Sequence, residues 1–278
     1  MAATTSTTLD DLFANIIAQA RFTAEEQSLM AGLVTRFDIG SVAGKTIQVP
    51  KYPAITAAAL TEGTDMTSTT VSTSSVTVTV AEVGAQVLLT DMAAFGAGNP
   101  AEELGTVLGN AIATKMDVDL IALFAGFSAS IGSAGAELTG QSIFQAASVL
   151  RANKVTGMMA AVVHPYQAYA IKSALTNAFV NPAAGVVQNV AMVNNYVGNL
   201  GGVEVYQSAN IAVDGSNDSI ACVFAPEAMA LAMKRDFNIE MQRDASMRGW
   251  ELNATAAYGV GELDDSYGVK LVGDSTIP

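Results

Sequence analysis

Large hydrophobic residues fall at four-residue intervals through the middle of the chain: Leu104, Leu108, Ile112, Met116, Leu120 and Phe124. The spacing predicts one long amphipathic helix from Asn99 to Gly126, with Val107, Ala111 and Leu123 widening the stripe into a face. Asn99 suits the cap, Pro100 the first helical position, and Glu102 stands three residues after the cap. Glu102 and Glu103 also complement the positive end of the helix dipole. At 1.5 Å per residue the rod is roughly 40 Å long, more than an ordinary domain helix.

Ahead of this helix the pattern changes twice. Leu9, Leu12, Phe13, Ile16 and Ile17 predict a short helix capped by Thr8. Thr23 and Glu26 form a capping-box signature before Leu29, Met30, Leu33 and Val34, predicting a second. Two small helices with no core element behind them read as an arm that docks elsewhere. From Gly44 the period becomes two: Ile47 and Val49 alternate with polar residues until Pro50 and Pro53. Residues 54–70 are mostly Ala, Thr, Gly and Ser, with Ile55, Leu60 and Met66 as the large apolar groups, too few for a core. Val76, Val78 and Val80 then form a two-faced strand, and Val87 and Leu89 continue the pattern after Gly84. Residues 44–83 therefore read as a projecting β-hairpin. An isolated two-stranded hairpin is marginal in water, so this one is expected to lie on another subunit.

Behind the long helix, a Gly/Ser/Ala link leads to a predicted helix over 139–153, with Ile143, Phe144, Ala147 and Leu150 on one face. Met158 to Val163 reads as a buried strand and His164-Pro165 as the start of a helix through Leu175. Residues 176–195 read as a loop with a short helix. Val203 and Val205 behind Gly201-Gly202, then Ile220 to Phe224, read as strands, and Pro226 to Ala230 as a helical turn. From Phe237 to Leu271 the weak alternation reads as strands returning to the long helix. The fold class is α+β.

Composition narrows the function. Half of the 278 residues are hydrophobic, 14% are charged, and the formal charge is −13. Depletion of charge is what the buried part of an interface shows, so much of the exterior is expected to face neighbours. The negative balance argues against tight or sequence-specific nucleic-acid binding, which needs Lys and Arg to displace counterions. The single cysteine, Cys222, lies in an apolar run and reads as buried and inert. Met1 to Asp11 is Thr-rich and acidic, unlike a secretory signal. The longest apolar region, Ile220 to Met233, is broken by Pro226 and Glu227 and is too short to span a membrane. The expectation is synthesis in the cytosol.

Catalytic chemistry finds little material. The one histidine, His164, sits between an apolar strand and a proline and reads as structural. Gly96-Ala97-Gly98 before the long helix imitates a dinucleotide-binding turn, but Glu102 and Glu103 would repel a phosphate there. Glu262, Asp264 and Asp265 fit no Ca²⁺ loop and read as a solvated turn. Trp250, Tyr258 and Tyr267 lack the basic surroundings of a nucleic-acid stacking platform and read as core or interface anchors. No catalytic, cofactor-binding or metal residue is assigned, and no enzymatic activity is expected.

The layout as a whole carries more than any single motif. A Gly-Lys-Thr-Ile-Gln-Val-Pro strand at 44–50 opens a Thr-rich hairpin ahead of the long helix. Val162-Val163-His164-Pro165, Gly198 to Val205, Phe224-Ala225-Pro226-Glu227-Ala228 and Tyr258-Gly259-Val260-Gly261 follow in order. From about residue 9 to 273 this order resembles the major capsid proteins of tailed bacteriophages, with their Hong Kong 97-like fold. The resemblance implies an N-terminal arm (1–43), an extended loop (44–83), a peripheral domain (84–135 and 232–278, spine helix 99–126) and an axial domain (136–231). It implies hexamers and pentamers of the chain itself, closed around double-stranded DNA in an icosahedral or prolate virion shell assembled in the host cytoplasm. The implied partners are a separate scaffolding protein, because the fold begins almost at once, and a portal. Lys45 and Lys51 lie at the loop base and residues 54–70 hold no lysine, so the crosslinking chemistry of some members is not expected. Reinforcement would then come from a decoration protein or an ordered arm. Two alternatives remain: an encapsulin-type nanocompartment shell, which shares the fold, and a secreted surface or adhesin protein.

Overall fold

The long helix is present in the computed structural model as α1 (Pro100–Ala122), extended by a 3-10 turn over Leu123–Gly126. The structure describes residues 28–40, 44–53, 55–63, 65–66, 68–91, 100–178 and 196–276. The predicted helix at 9–17, the Thr23–Glu26 capping box, the Asn99 cap, the Gly96-Ala97-Gly98 turn and the loop at 179–195 lie outside these residues.

Leu108, Ile112, Leu120 and Phe124 are buried on α1 as the spacing requires. Val107 and Ala111 do not widen that stripe: both are exposed. The buried face instead widens through Gly105, Gly109, Ala113 and Asp117.

Twelve strands form three sheets among the described residues: β1 (Thr35–Asp38), β2 (Thr46–Lys51), β3 (Ser74–Thr79), β4 (Ala81–Thr90), β5 (Ser130–Gly132), β6 (Met159–Val163), β7 (Tyr196–Leu200), β8 (Val203–Gln207), β9 (Asp218–Phe224), β10 (Met229–Asp244), β11 (Gly249–Glu262) and β12 (Gly268–Asp274). A four-stranded sheet has the order β1-β10-β11-β4, antiparallel except for β1 on β10. Ile239, Leu252, Ala254 and Ala256 share a core with the buried face of α1.

A six-stranded mixed sheet has the order β5-β12-β9-β6-β8-β7. Helices α2 (Gly140–Ala152) and α3 (Pro165–Ala178) share a core with Ala161, Val163, Ala221, Val223, Val269 and Leu271. Phe124 and Phe127, at the end of the long helix, share a second core with Ala160, Val162, Cys222 and Phe224. Phe124 and Phe224 pack in a tilted pair with ring centroids 5.8 Å apart. Coverage on both faces explains why every residue of β6 is buried. One continuous core therefore joins α1 to both sheets.

Several expectations are corrected here. The stretch from Leu29 to Val34 is a single 3-10 turn (Met30–Gly32) followed by β1, not a helix. Phe144 is half-exposed on the outer side of α2, and Ala146 takes its place in the core. Met158 is exposed and precedes β6. Val269 and Leu271 do not return to the long helix's sheet: β12 pairs with β9 and β5 in the six-stranded sheet. Strands β4, β10 and β11 share the four-stranded sheet, whereas β5 and β12 lie in the other. The 44–83 hairpin pairs only between Thr46–Lys51 and Ser74–Thr79, and the described residues from 55 to 73 form no regular structure.

Candidate functional site

The feature that distinguishes this subunit is the segment carried by β2 and β3. Their paired part spans six residues per strand, roughly 17–20 Å. Beyond it Tyr52, Ile55, Leu60 and Met66 are 60–74% exposed. Among the described residues these large apolar side chains belong to no core cluster, and they leave apolar surface open to solvent.

The root of the ribbon is fixed by close packing. Val78 and Val80 are buried with Ile39, Ala230 and Ala232, and Ile47, Phe37 and Leu263 pack alongside. The Tyr-Gly-Val-Gly stretch explains itself here. A side-chain carbon at Gly259 would lie 2.3 Å from the Thr79 carbonyl oxygen, and one at Gly261 2.8 Å from Val78 Cγ2. Only glycine lets the ribbon lie this close to β11.

A buried carboxylate ties the start of the described chain to α1. Asp117 accepts hydrogen bonds from Ser28 Oγ at 3.1 Å, Leu29 N at 3.2 Å and Met30 N at 3.2 Å. Burial raises its pKa above the usual carboxylate value, while these donors and the Asn210 side chain pull the other way. The sequence reading missed Asp117. A charged residue on the inward edge of an apolar stripe was the available signal.

The residues considered for chemistry are occupied by structure. His164 is buried; its Nδ1 accepts from Tyr166 N at 3.3 Å, capping α3, and burial lowers its pKa. Beside it Gln167 donates through Nε2 to the carbonyls of Ser219 and Gly273, both at 3.1 Å, pinning α3 to β9 and β12. Cys222 is fully buried, and that burial pushes its thiol well above its ordinary pKa. Asp265 accepts from Ser128 N, and Asp264 from Ser266 N and Oγ. Burial, then the charges of Asp265 and Asp264, raise the pKa of Glu262. Among the described residues no group of three His, Cys, Asp or Glu could hold a metal ion. Tyr258 is buried and donates to Asp119 Oδ2 at 2.8 Å. Trp250 lies in β11, 5.4 Å beneath the guanidinium of Arg243, which binds Asp91 through both its nitrogens.

The Gly198–Val205 stretch is the end of the β7–β8 hairpin, with a two-residue turn at Gly201-Gly202. Gly201 and Gly202 have φ of 65° and 89°, and Asn199 Oδ1 accepts from Gly202 N at 3.0 Å. Arg151 Nη2 donates to the Gly201 carbonyl at 2.8 Å, seating the turn against α2.

No family model and no curated protein matches the sequence. Solved structures do match, along nearly the whole chain. A structure from Mycobacterium phage Che8 is 19% identical with a TM-score of 0.69, covering 88% of this chain and 90% of its own. The capsid of Ralstonia phage GP4 is 13% identical with a TM-score of 0.69, covering 88% of each. The virus-like particle from Pyrococcus furiosus is 9% identical with a TM-score of 0.63, covering 93% of this chain and 98% of its own. At such identities the likeness is one of fold, and the fold this chain adopts is that of the phage capsid proteins.

Proposed function

We propose that the chain is a major capsid protein, many copies of which close into the shell around the double-stranded DNA of a tailed phage. The observation that carries the reading is the coverage: phage capsid structures match about nine-tenths of this chain and of their own chains. The ribbon and the exposed segment from 52 to 73 suit it. Burying Ile55, Leu60 and Met66 on a neighbour contributes on the order of 1.5–3 kcal/mol gross for each. Repeated around a ring, many modest contacts give closure without any one strong pair.

In this reading residues 1–43 form the arm, whose β1 joins the edge of the four-stranded sheet, 44–83 the extended loop, and α1 with β4, β10 and β11 the peripheral domain. The six-stranded sheet with α2 and α3 is the axial domain, whose loops meet at ring centres. The partners are further copies as hexamers and pentamers, a separate scaffolding protein during assembly, and a portal; the chain itself resides in the virion. The negative charge leaves packed DNA free to move past the wall. No described helix is long and apolar enough to cross a membrane.

The second reading is an encapsulin-type compartment, favoured by the coverage of the Pyrococcus furiosus particle. Negative-stain microscopy of the chain expressed alone and with its neighbouring genes separates the two: small uniform shells from the chain alone favour the compartment. Deleting residues 54–70 is expected to leave a folded, soluble subunit that no longer closes shells. Normal particles from that deletion would overturn the assignment of the loop.

A further inference from the structure

The two ends of the ribbon's paired part are held by different physics. The root is apolar and close-packed, through Val78, Val80 and the two glycines of β11. At the far end, where β2 stops, Lys51 Nζ lies 2.6 Å from Asp264 Oδ2. Pairing ends at Lys51 and Ser74, and among the described residues this ion pair is the last tie before the segment that reaches outward.

The turn that receives Lys51 is built into the body. Leu263 N donates to the Ala228 carbonyl at 2.8 Å, and Ser128 N to Asp265 Oδ1 at 2.7 Å. Asn153 Nδ2 reaches the Ser266 carbonyl at 2.8 Å. Asp264 Oδ1 is taken by Ser266, which leaves Oδ2 for Lys51. The turn therefore joins the end of α1, the end of α2 and both large sheets, and the ion pair ties the ribbon to that junction.

We propose that Lys51 and Asp264 are positioning residues whose ion pair sets the direction in which the extended segment leaves the subunit. The proposal rests on the reading of that segment as an intersubunit contact. The packed root fixes where the ribbon starts, and a second attachment at the other end of its paired part fixes the line along which the segment departs. Lys51 is half-exposed, so the tie is modest and weakened by salt. A modest tie suits a joint that takes more than one angle, as five-fold and six-fold rings demand.

The test measures distances within the isolated, full-length subunit. Spin labels are placed at Ser75→Cys, at the far end of the paired ribbon, and at Gln145→Cys on α2, both exposed positions, and the buried Cys222 does not label. The unaltered ion pair is expected to give a narrow distribution. Lys51→Gln is expected to raise the population of displaced orientations roughly two- to fivefold, the effect of losing an exposed ion pair. Lys51→Arg, which keeps the charge, restores the narrow distribution. An unchanged distribution in Lys51→Gln, or equal broadening in Lys51→Arg, overturns the proposal. Shell formation by the 54–70 deletion would instead overturn the assembly reading while leaving the distance result intact.

Discussion

Replacing Asp117 by alanine removes the acceptor that ties the start of the described chain to the middle of the long helix. The carboxylate is 1% exposed and receives two backbone amides and one hydroxyl. Hydrogen bonds to a charged group net about 1.5–3 kcal/mol each, and orphaned buried amides cost comparable amounts. Against this stands the burial of a charge, already visible in the raised pKa. The balance is a loss of about 2–4 kcal/mol. For a chain of this size about 3 kcal/mol corresponds to a fall in Tm of roughly 6–12 °C. The local readout is sharper: amide exchange at Leu29 and Met30 should lose roughly 100-fold of its protection. Circular dichroism melting gives the first quantity and exchange mass spectrometry the second. Asp117→Leu, which fills the space without an acceptor, is the control. If it melts with the native chain and keeps Leu29 and Met30 protected, the tie contributes nothing and the reasoning fails.

The same residue predicts a pH dependence. Its folded pKa lies above the unfolded value, so the folded state takes up the proton first and this group adds stability as pH falls from neutral towards about 4. The Tm difference between the native chain and Asp117→Asn should widen in favour of the native chain over that range, and a constant difference refutes it. Asp91 and Asp264 have lowered values and act with the opposite sign, which is why the difference between the two chains is the quantity to follow. Gly259→Val places carbon against the Thr79 backbone, which has no flexible end to move, and should cost at least the roughly 1–3 kcal/mol of overpacking. Protease nicking between residues 44 and 80 should rise with it; native resistance and an unchanged Tm would refute the close-packed root.

The sequence by itself determined the elements whose signals are local. The period of four defined α1, Thr139 and Asn153 bounded α2, and the run before His164-Pro165 located β6 and the start of α3. The charge-poor 54–70 stretch, with its few large apolar residues, likewise announced a segment without a core of its own. Only the tertiary structure decided which strands share a sheet. Val269 and Leu271 alternate no differently from strands in the other sheet, and their place beside β9 comes from a register 45 or more residues away in sequence. It also decided that Val107 faces outward and Asp117 inward, because the helix rotates to satisfy Leu29 and Met30 as well as to bury its leucines. And it joined Lys51 to Asp264 across more than 200 residues, a contact that no periodicity encodes. Local spacing fixes how a chain repeats, whereas long-range pairing depends on which surfaces the folded core brings within reach.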